Sequence, residues 1–384
     1  MIPDAKSVRR AYLTMLFDGL CVSSASVILP LLKEHYGLSY NLSGLLLALL
    51  SVGNLAAALM CGLLPRFWGV RRTALLFTSG LCLGYLLLLL SGSPVFLLLG
   101  FLLIGLGKGS SMNNATVITG AAAKDRTKSV NLVNALFAVG SLCGPVIYLL
   151  FSGRAFWQAP LAVLAAAGGV LWLLFFGIRM GGPRKDAPQK DDLSFLRDRH
   201  FWLSTAFLFC QQCAEISVTG WLVTYFKDAG ILTGVLSELT VTVVWLAMLA
   251  GRLVIAFVLP QQSRLRSLTL MSAAAIVTYA LLLYSRSGAM ALAALFLFGL
   301  SISGTYPTSI AQASRALSNA SVGVMLPVAG IGAILMPYLT GAVAQRVGIH
   351  GGMLCPLAAL CVMLVFALLM RRSERCAAGA RRAP

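Results

Sequence analysis

Charge is what this chain lacks. Only 11% of its 384 residues are Asp, Glu, Lys or Arg, and just 12 of those are acidic. Soluble domains carry about 25% charged residues, so an ordinary soluble enzyme and a charge-rich disordered chain are both excluded. Histidine is nearly as scarce: His35, His200 and His350 are the full set. No H-E-x-x-H or Ser-His-Asp arrangement emerges from them. The segment Gly105-Leu-Gly107-Lys108-Gly109 lacks a preceding strand and does not fit G-x-x-x-x-G-K-[ST], which removes a nucleotide loop. The nine cysteines are scattered and mostly inside apolar runs, unlike a disulfide framework. Cys210 and Cys213 form a C-x-x-C with no second pair or neighbouring His to complete a metal site. The expectation is a protein that is not an enzyme and uses no cofactor and no metal.

What the chain has instead is apolar length. Hydrophobic residues make up 59% of it, and the mean hydropathy is +0.87. A membrane span takes about 20 apolar residues. Apolar runs predict spans at 11–32, 42–64, 73–92, 94–121, 129–151 and 157–178, then 200–226, 234–259, 266–285, 289–312, 320–343 and 351–370. The N-terminal residues lead straight into the first run without a small-residue cleavage site, so that run reads as a retained span. The stretch 179–199 is charged, contains Gly and Pro, and cannot span a bilayer. It divides a six-span bundle at 1–178 from a second at 200–384, which ends in a short basic tail.

The basic residues then sort by side. With the N-terminus inside, 23 of the 30 Lys and Arg fall in inner loops and termini and five in outer loops, with Lys108 and Arg252 inside spans. That asymmetry predicts a multi-pass protein of the cell (inner) membrane with both termini cytoplasmic. It also accounts for the net charge of +18 without a nucleic-acid partner. Gly140-Ser-Leu-Cys-Gly-Pro145 in span five and Gly332-Ala-Ile-Leu-Met-Pro337 in span eleven share G-x4-P, as expected of a duplicated unit. The fold class that follows is an all-α membrane protein, twelve transmembrane helices in two pseudo-symmetric six-helix bundles.

Several short motifs now line up with a known family. The loop Gly62-Leu-Leu-Pro-Arg66-Phe-Trp-Gly69-Val-Arg71-Arg72 is similar to the G-x-L-x-D-R-x-G-R-R signature of the major facilitator superfamily. It differs in carrying Arg66 at the acidic position and one extra residue before the basic pair. Within that superfamily the chain most resembles the fucose–proton symporter group and related sugar permeases. The resemblance is carried by Ala214-Glu215-Ile-Ser-Val-Thr-Gly-Trp221-Leu-Val-Thr-Tyr225, Val27-Ile-Leu-Pro30, Gly105-Leu-Gly107 with Asn114, Gly251-Arg252 and Tyr306-Pro307-Thr308. It implies the major facilitator fold, and a gating role for Gly62, Gly69, Arg71, Arg72 and Arg252. Ser26 and Ser110 stand where fucose permease carries its proton-binding carboxylates. Coupling is therefore not transferred on those positions, and fucose is not implied.

Charges inside spans are costly and, when kept, face the bundle interior or a cavity. At 1.5 Å per residue, Asp18 and Arg252 lie about 10 Å from the inner ends of their spans, Lys108 about 20 Å and Glu215 about 22 Å. Spans one and four both line the cavity in the family resembled, so an Asp18–Lys108 pair is feasible, either as a static ion pair or as part of proton coupling. A carboxylate at the depth of Glu215 can exchange between charged and neutral forms, which makes it a candidate proton carrier; its competing role is to accept hydrogen bonds from substrate hydroxyls. Arg252 reads equally as an interdomain or carbonyl-capping group, and Glu238 as a headgroup-level residue near the start of span eight. Amides both donate and accept, which suits a polyol, and an aromatic face covers the apolar side of a sugar ring. The candidate binding set is Asn54, Asn114, Asn134, Gln211, Gln212, Trp221, Tyr225, Trp245 and Tyr306; the alternative is that its amides join helices together.

The reading is a secondary active transporter that moves a small polar solute, a sugar or sugar-like compound, by proton-coupled alternating access, as a monomer in the lipid bilayer. The alternatives are a proton-driven multidrug exporter and an organic-anion (sugar-acid) carrier using Lys108 and Arg252.

Overall fold

The computed structural model describes residues 4–123, 126–151, 157–178, 193–257, 264–313 and 319–380. Every regular element among them is helical. The first half holds α1 (Ala5–Tyr36), α2 (Tyr40–Leu63), the single turn α3 (Pro65–Trp68), α4 (Val70–Leu90), α5 (Pro94–Ala122), α6 (Arg126–Phe151) and α7 (Ala159–Phe176). A 3₁₀ helix at Leu193–Arg197 leads into α8 (Arg199–Asp228), α9 (Val235–Phe257), α10 (Arg264–Leu283), α11 (Gly288–Ile302), α12 (Thr305–Ala313), α13 (Asn319–Gly352) and α14 (Leu354–Ala380). Eleven of the described helices are long and apolar enough to cross a membrane when α11 and α12 count as one span. The twelfth is α8, whose 30 residues suffice in length but carry Gln211, Gln212 and Glu215. The protein is an all-α membrane protein of twelve spans in two pseudo-symmetric six-helix bundles.

Helix ends follow local chemistry. Asp4 accepts from the Ser7 amide at 3.1 Å, Ser39 from Leu42 at 3.2 Å and Asp198 from His200 at 2.8 Å, so α1, α2 and α8 each begin on a side-chain cap. Gly37 stops α1 in the left-handed region (φ 63°), where its N–H reaches the Lys33 carbonyl. Leu90, Leu150, Leu173 and Leu270 are exposed, as lipid-facing residues should be.

Contacts group residues 1–186 with 234–242 in one unit and 187–233 with 243–384 in another. Of the linker expected at 179–199, residues 179–192 lie outside the described set and 193–197 form the 3₁₀ helix. Between helices in lipid there is little hydrophobic drive, so backbones must approach closely at small residues. In the first unit Gly53, Gly105 and Gly109 join α2 to α5, and Gly80 and Gly107 join α4 to α5. A side chain at Gly105 would overlap the Leu50 carbonyl and the Asn54 backbone. Gly105→Val is therefore expected to cost at least about 1–3 kcal/mol by overpacking. It should appear as a lowered melting temperature and a lost monodisperse peak in detergent chromatography; an unchanged melting temperature would contradict the packing.

The G-x4-P motifs occupy matching places. Gly140 on α6 packs against the Leu16 backbone of α1, and Gly332 on α13 against the Phe209 backbone of α8. Span five thus meets span one as span eleven meets span seven, and Asp18 and Gln211 fall two residues beyond the two contact points.

The tenth span, expected over 289–312, is the apolar stretch Gly288–Ile310, whose helix is interrupted at Ser303 and Gly304, between α11 and α12. Pro307 has no N–H for the Ser303 carbonyl and its ring crowds that carbonyl. The Thr308 amide instead reaches Gly304 at 3.1 Å and starts the new helix. The eleventh span, expected to end near 343, runs on through a kink at Gly348 (φ 84°) to Gly352.

Candidate functional site

In the first unit the polar centre is Asp18 on α1. It is fully buried, and neither carboxylate oxygen has a hydrogen-bond partner. From α5, Lys108 and Ser111 are the groups that act on it electrostatically. They sit one turn apart, and the Ser111 hydroxyl donates to the Lys108 carbonyl at 3.0 Å. On the α4 side, the Tyr85 hydroxyl donates to the Cys21 carbonyl, one turn above Asp18. The structure therefore brings Asp18, the Ser111 hydroxyl and Lys108 together.

The amides of this unit divide. Asn114 spends its Nδ2 on the Ser110 carbonyl at 2.8 Å and lies 3.8 Å from Cys61 Sγ, so it ties α5 to α2. Asn54 and Asn134 are half-buried, on α2 and α6.

In the second unit the polar centre lies on α8. Gln211 is fully buried and donates its Nε2 to Glu215 Oε2, one turn on. Its Oε1 has no partner. The break in the tenth span delivers Tyr306 in the first turn of α12, where the phenol lies within electrostatic range of both Glu215 and Arg252. The ring itself packs on a cluster of Phe195, Phe201, Leu208, Met325 and Ala329. Leu208 is one turn below Gln211, so one face of α8 carries Leu208, Gln211 and Glu215 in register. Gln212 and Trp245 are half-buried.

Trp221 and Tyr225 do not join this centre. Both are fully buried. The Trp221 indole N–H donates to the Pro337 carbonyl at 3.0 Å. The Tyr225 hydroxyl lies 3.4 Å from the Leu283 carbonyl and 3.4 Å from His350 Nδ1. These contacts pin α8 to its neighbours. Trp221→Phe should lower thermal stability by about 1 kcal/mol, the usual worth of one hydrogen bond, with the transport KM unmoved. A raised KM would put the ring back in the binding set.

Two similarities bear on this arrangement. The sequence pattern described as Major Facilitator Superfamily matches residues 11–329. The chain belongs to the Major Facilitator Superfamily. It is 27% identical over 247 residues to an uncharacterised MFS-type transporter of Yersinia pestis, a match that spans 63% of each chain. To Bypass of stop codon protein 6 of Saccharomyces cerevisiae it is 22% identical over 379 residues, 86% of this chain and 76% of that one. Among solved structures it resembles a bacterial homologue of the human lysosomal transporter Spinster (TM-score 0.72, 14% identity, 95% and 96% of the two chains). It also resembles the nucleoside transporter NupG (TM-score 0.72, 15% identity, 95% and 98%). At those identities the likeness is one of fold.

This superfamily member is a transporter, not an enzyme, and its inner loop departs from the family signature in carrying Arg66 at the acidic position. Arg71 reaches α7: its Nη2 donates to the Phe176 carbonyl at 3.0 Å, and its guanidinium lies 5.2 Å from the Phe176 ring. Arg10 donates to the next carbonyl, Gly177. Two arginines thus cap the C-terminal end of α7, where backbone carbonyls lack helical partners. Arg72 and Gly62 are exposed, and Gly69 provides the left-handed turn (φ 79°) before α4.

Sequence reasoning missed Arg10, counted only as an inner-face charge, and Ser111, whose one-turn offset from Lys108 was the available signal. Glu238, in the first turn of α9, is 1% exposed.

Proposed function

We propose that this transporter moves a small polar solute, a sugar or sugar-like compound, by proton-coupled alternating access. The observation that carries the reading is one carboxylate centre in each unit: Asp18 beside Lys108 and Ser111 in the first, Glu215 beside Gln211, Tyr306 and Arg252 in the second. Carboxylates kept inside a span are the groups that bind and release protons in carriers. The amides Gln211, Gln212, Asn54 and Asn134, with Trp245 and Tyr306, supply directed hydrogen bonds and apolar ring faces for a polyol. NupG, which shares the fold, is a transporter of nucleosides, a ribose-bearing class, and the motifs shared with sugar permeases lean the same way.

A sugar-acid carrier is the weaker reading. Its anion would need Lys108 or Arg252, yet each of those cations already shares its surroundings with a carboxylate. The 23-to-5 distribution of basic residues supports insertion in the inner membrane with both termini cytoplasmic, and we take the transporting unit to be a monomer.

Counterflow in proteoliposomes, run with neutral sugars, nucleosides, sugar acids and lipophilic cations, tests the substrate class. Exchange of a neutral sugar or nucleoside is expected. Exchange of sugar acids alone, or of cations alone, would replace the reading. Cysteine pairs introduced between the inner loops of the two bundles should crosslink in one conformational state and not the other. Simultaneous crosslinking at inner and outer faces would rule out alternating access.

A further inference from the structure

Gln211 and Glu215 are one turn apart on α8, and the amide Nε2 donates to Glu215 Oε2. The chemistry of the partner decides which end of the amide faces it. An ionised carboxylate only accepts, so it must meet the N–H side. The other end of the amide, Oε1, is buried and has no hydrogen-bond partner. A buried carbonyl left unsatisfied is costly until a donor reaches it. Among the described residues no donor reaches it.

Protonation of Glu215 changes what it can exchange with the amide. The acid gains an O–H to donate while its carbonyl oxygen can still accept, and Gln211 Oε1 becomes available to that O–H once the amide turns half a revolution about its terminal torsion. That torsion is broad and roughly two-fold, so the turn needs no backbone movement. Nε2 then points where Oε1 pointed before. Among the described residues, Tyr306 from α12 is a titratable group on which Glu215 acts, and Arg252 from α9 acts on the same phenol. Cys210 and Cys213 flank Gln211 on α8 itself. Neither α13 between Asn319 and Gln345 nor α14 between Leu354 and Met370 carries a charged residue.

We infer that Gln211 is a positioning residue that converts protonation of Glu215 into a reversal of the hydrogen-bonding group shown to the solute. While Glu215 is ionised, Gln211 offers a carbonyl acceptor; while Glu215 is protonated, it offers an N–H donor. The inference rests on the proton-carrier role proposed for Glu215. It specifies the ligand as a neutral solute bearing a hydroxyl at this point. A hydroxyl donates to the first form and accepts from the second, whereas an ether oxygen serves only the second. Because the two forms of the carrier then bind the solute through different hydrogen bonds, proton and solute occupancy become linked.

The test needs no identified solute. Infrared difference spectra of the full chain in liposomes, recorded between about pH 4 and 9 to cover carboxyl titration, should show a carboxylic-acid carbonyl band that is absent from Glu215→Gln. A side-chain amide carbonyl band should shift in parallel. In Gln211→Leu, and in the near-isosteric Gln211→Met, the acid band should move to higher frequency, because its O–H has lost its acceptor, and the amide shift should vanish. A Glu215-dependent band that ignores both substitutions overturns the switch and leaves the proton-carrier reading standing. No Glu215-dependent band anywhere in that range overturns the carrier reading itself, and the switch with it. If neither Gln211 variant folds, isotope-labelled glutamine in the unmutated chain reads the amide directly. An amide band there that stays fixed while the Glu215 band titrates counts against the switch alone.

Discussion

Proteoliposomes carrying Glu215→Gln will exchange solute across the membrane but will not concentrate it. The amide keeps the size of the side chain and can still pair with Gln211, so the helix face formed by Leu208, Gln211 and position 215 survives. What it cannot do is bind and release a proton. A gradient of one pH unit is worth about 1.4 kcal/mol per proton, or about tenfold accumulation of solute. The unmutated carrier should approach that ratio with one coupled proton, and the variant should settle at about one. The measurement is paired: counterflow under equal pH on both sides, then uptake under an imposed gradient. A variant that still accumulates solute tenfold removes Glu215 from the coupling path and leaves Asp18 as the carboxylate to test.

The second large effect concerns Asp18 and Lys108. Asp18 is fully buried without a hydrogen bond to either oxygen, and Lys108 is the cation that acts on it. Asp18→Asn deletes the negative charge facing Lys108 while the lysine stays inside the bundle. Removing one partner of a buried pair costs about 3–5 kcal/mol, whereas replacing both by apolar groups is often neutral. Asp18→Asn and Lys108→Met should each lower folded yield or melting temperature markedly, and the double variant should recover a large part of the loss. Two silent single variants would show that the charges are not coupled. A double variant no better than the worse single one would mean that they act separately, with Lys108 then the better candidate for contact with solute. The pair also offers a two-state element: protonation of Asp18 removes the attraction to Lys108, so the preferred packing of α1 on α5 can differ between the two forms.

Most of the architecture was legible because bilayers read sequences in long averages. Twelve apolar runs, a charged stretch after residue 178 and the bias of Lys and Arg between loops are properties of 20-residue windows, and they survive errors of several residues at each end. The short motifs added the superfamily. Glu215, Asp18, Lys108 and Arg252 stood out for a similar reason, since a charge inside an apolar run is rare in any context.

What sequence could not decide were contacts made between helices. Trp221 and Tyr225 have the composition of a sugar-binding site. Only packing shows Trp221 held by the Pro337 carbonyl and Tyr225 lodged near Leu283 and His350. The Asn114 Nδ2 donates to the Ser110 carbonyl within its own helix. The interruption at Gly304 is a local effect of Pro307, and the proline was visible. That the new helix sets Tyr306 within range of Glu215 and Arg252 depends on how α9, α8 and α12 pack. The amino-acid sequence determined on its own that this chain is a twelve-span membrane carrier with a few charges buried in it, because hydropathy and charge act residue by residue against lipid. Which of its polar groups meet a partner within the protein, and which, like Gln211 Oε1, meet none among the described residues, was decided by tertiary structure alone. A hydrogen bond needs both partners within about 3 Å, and residues distant in the chain acquire that spacing only when the helices pack.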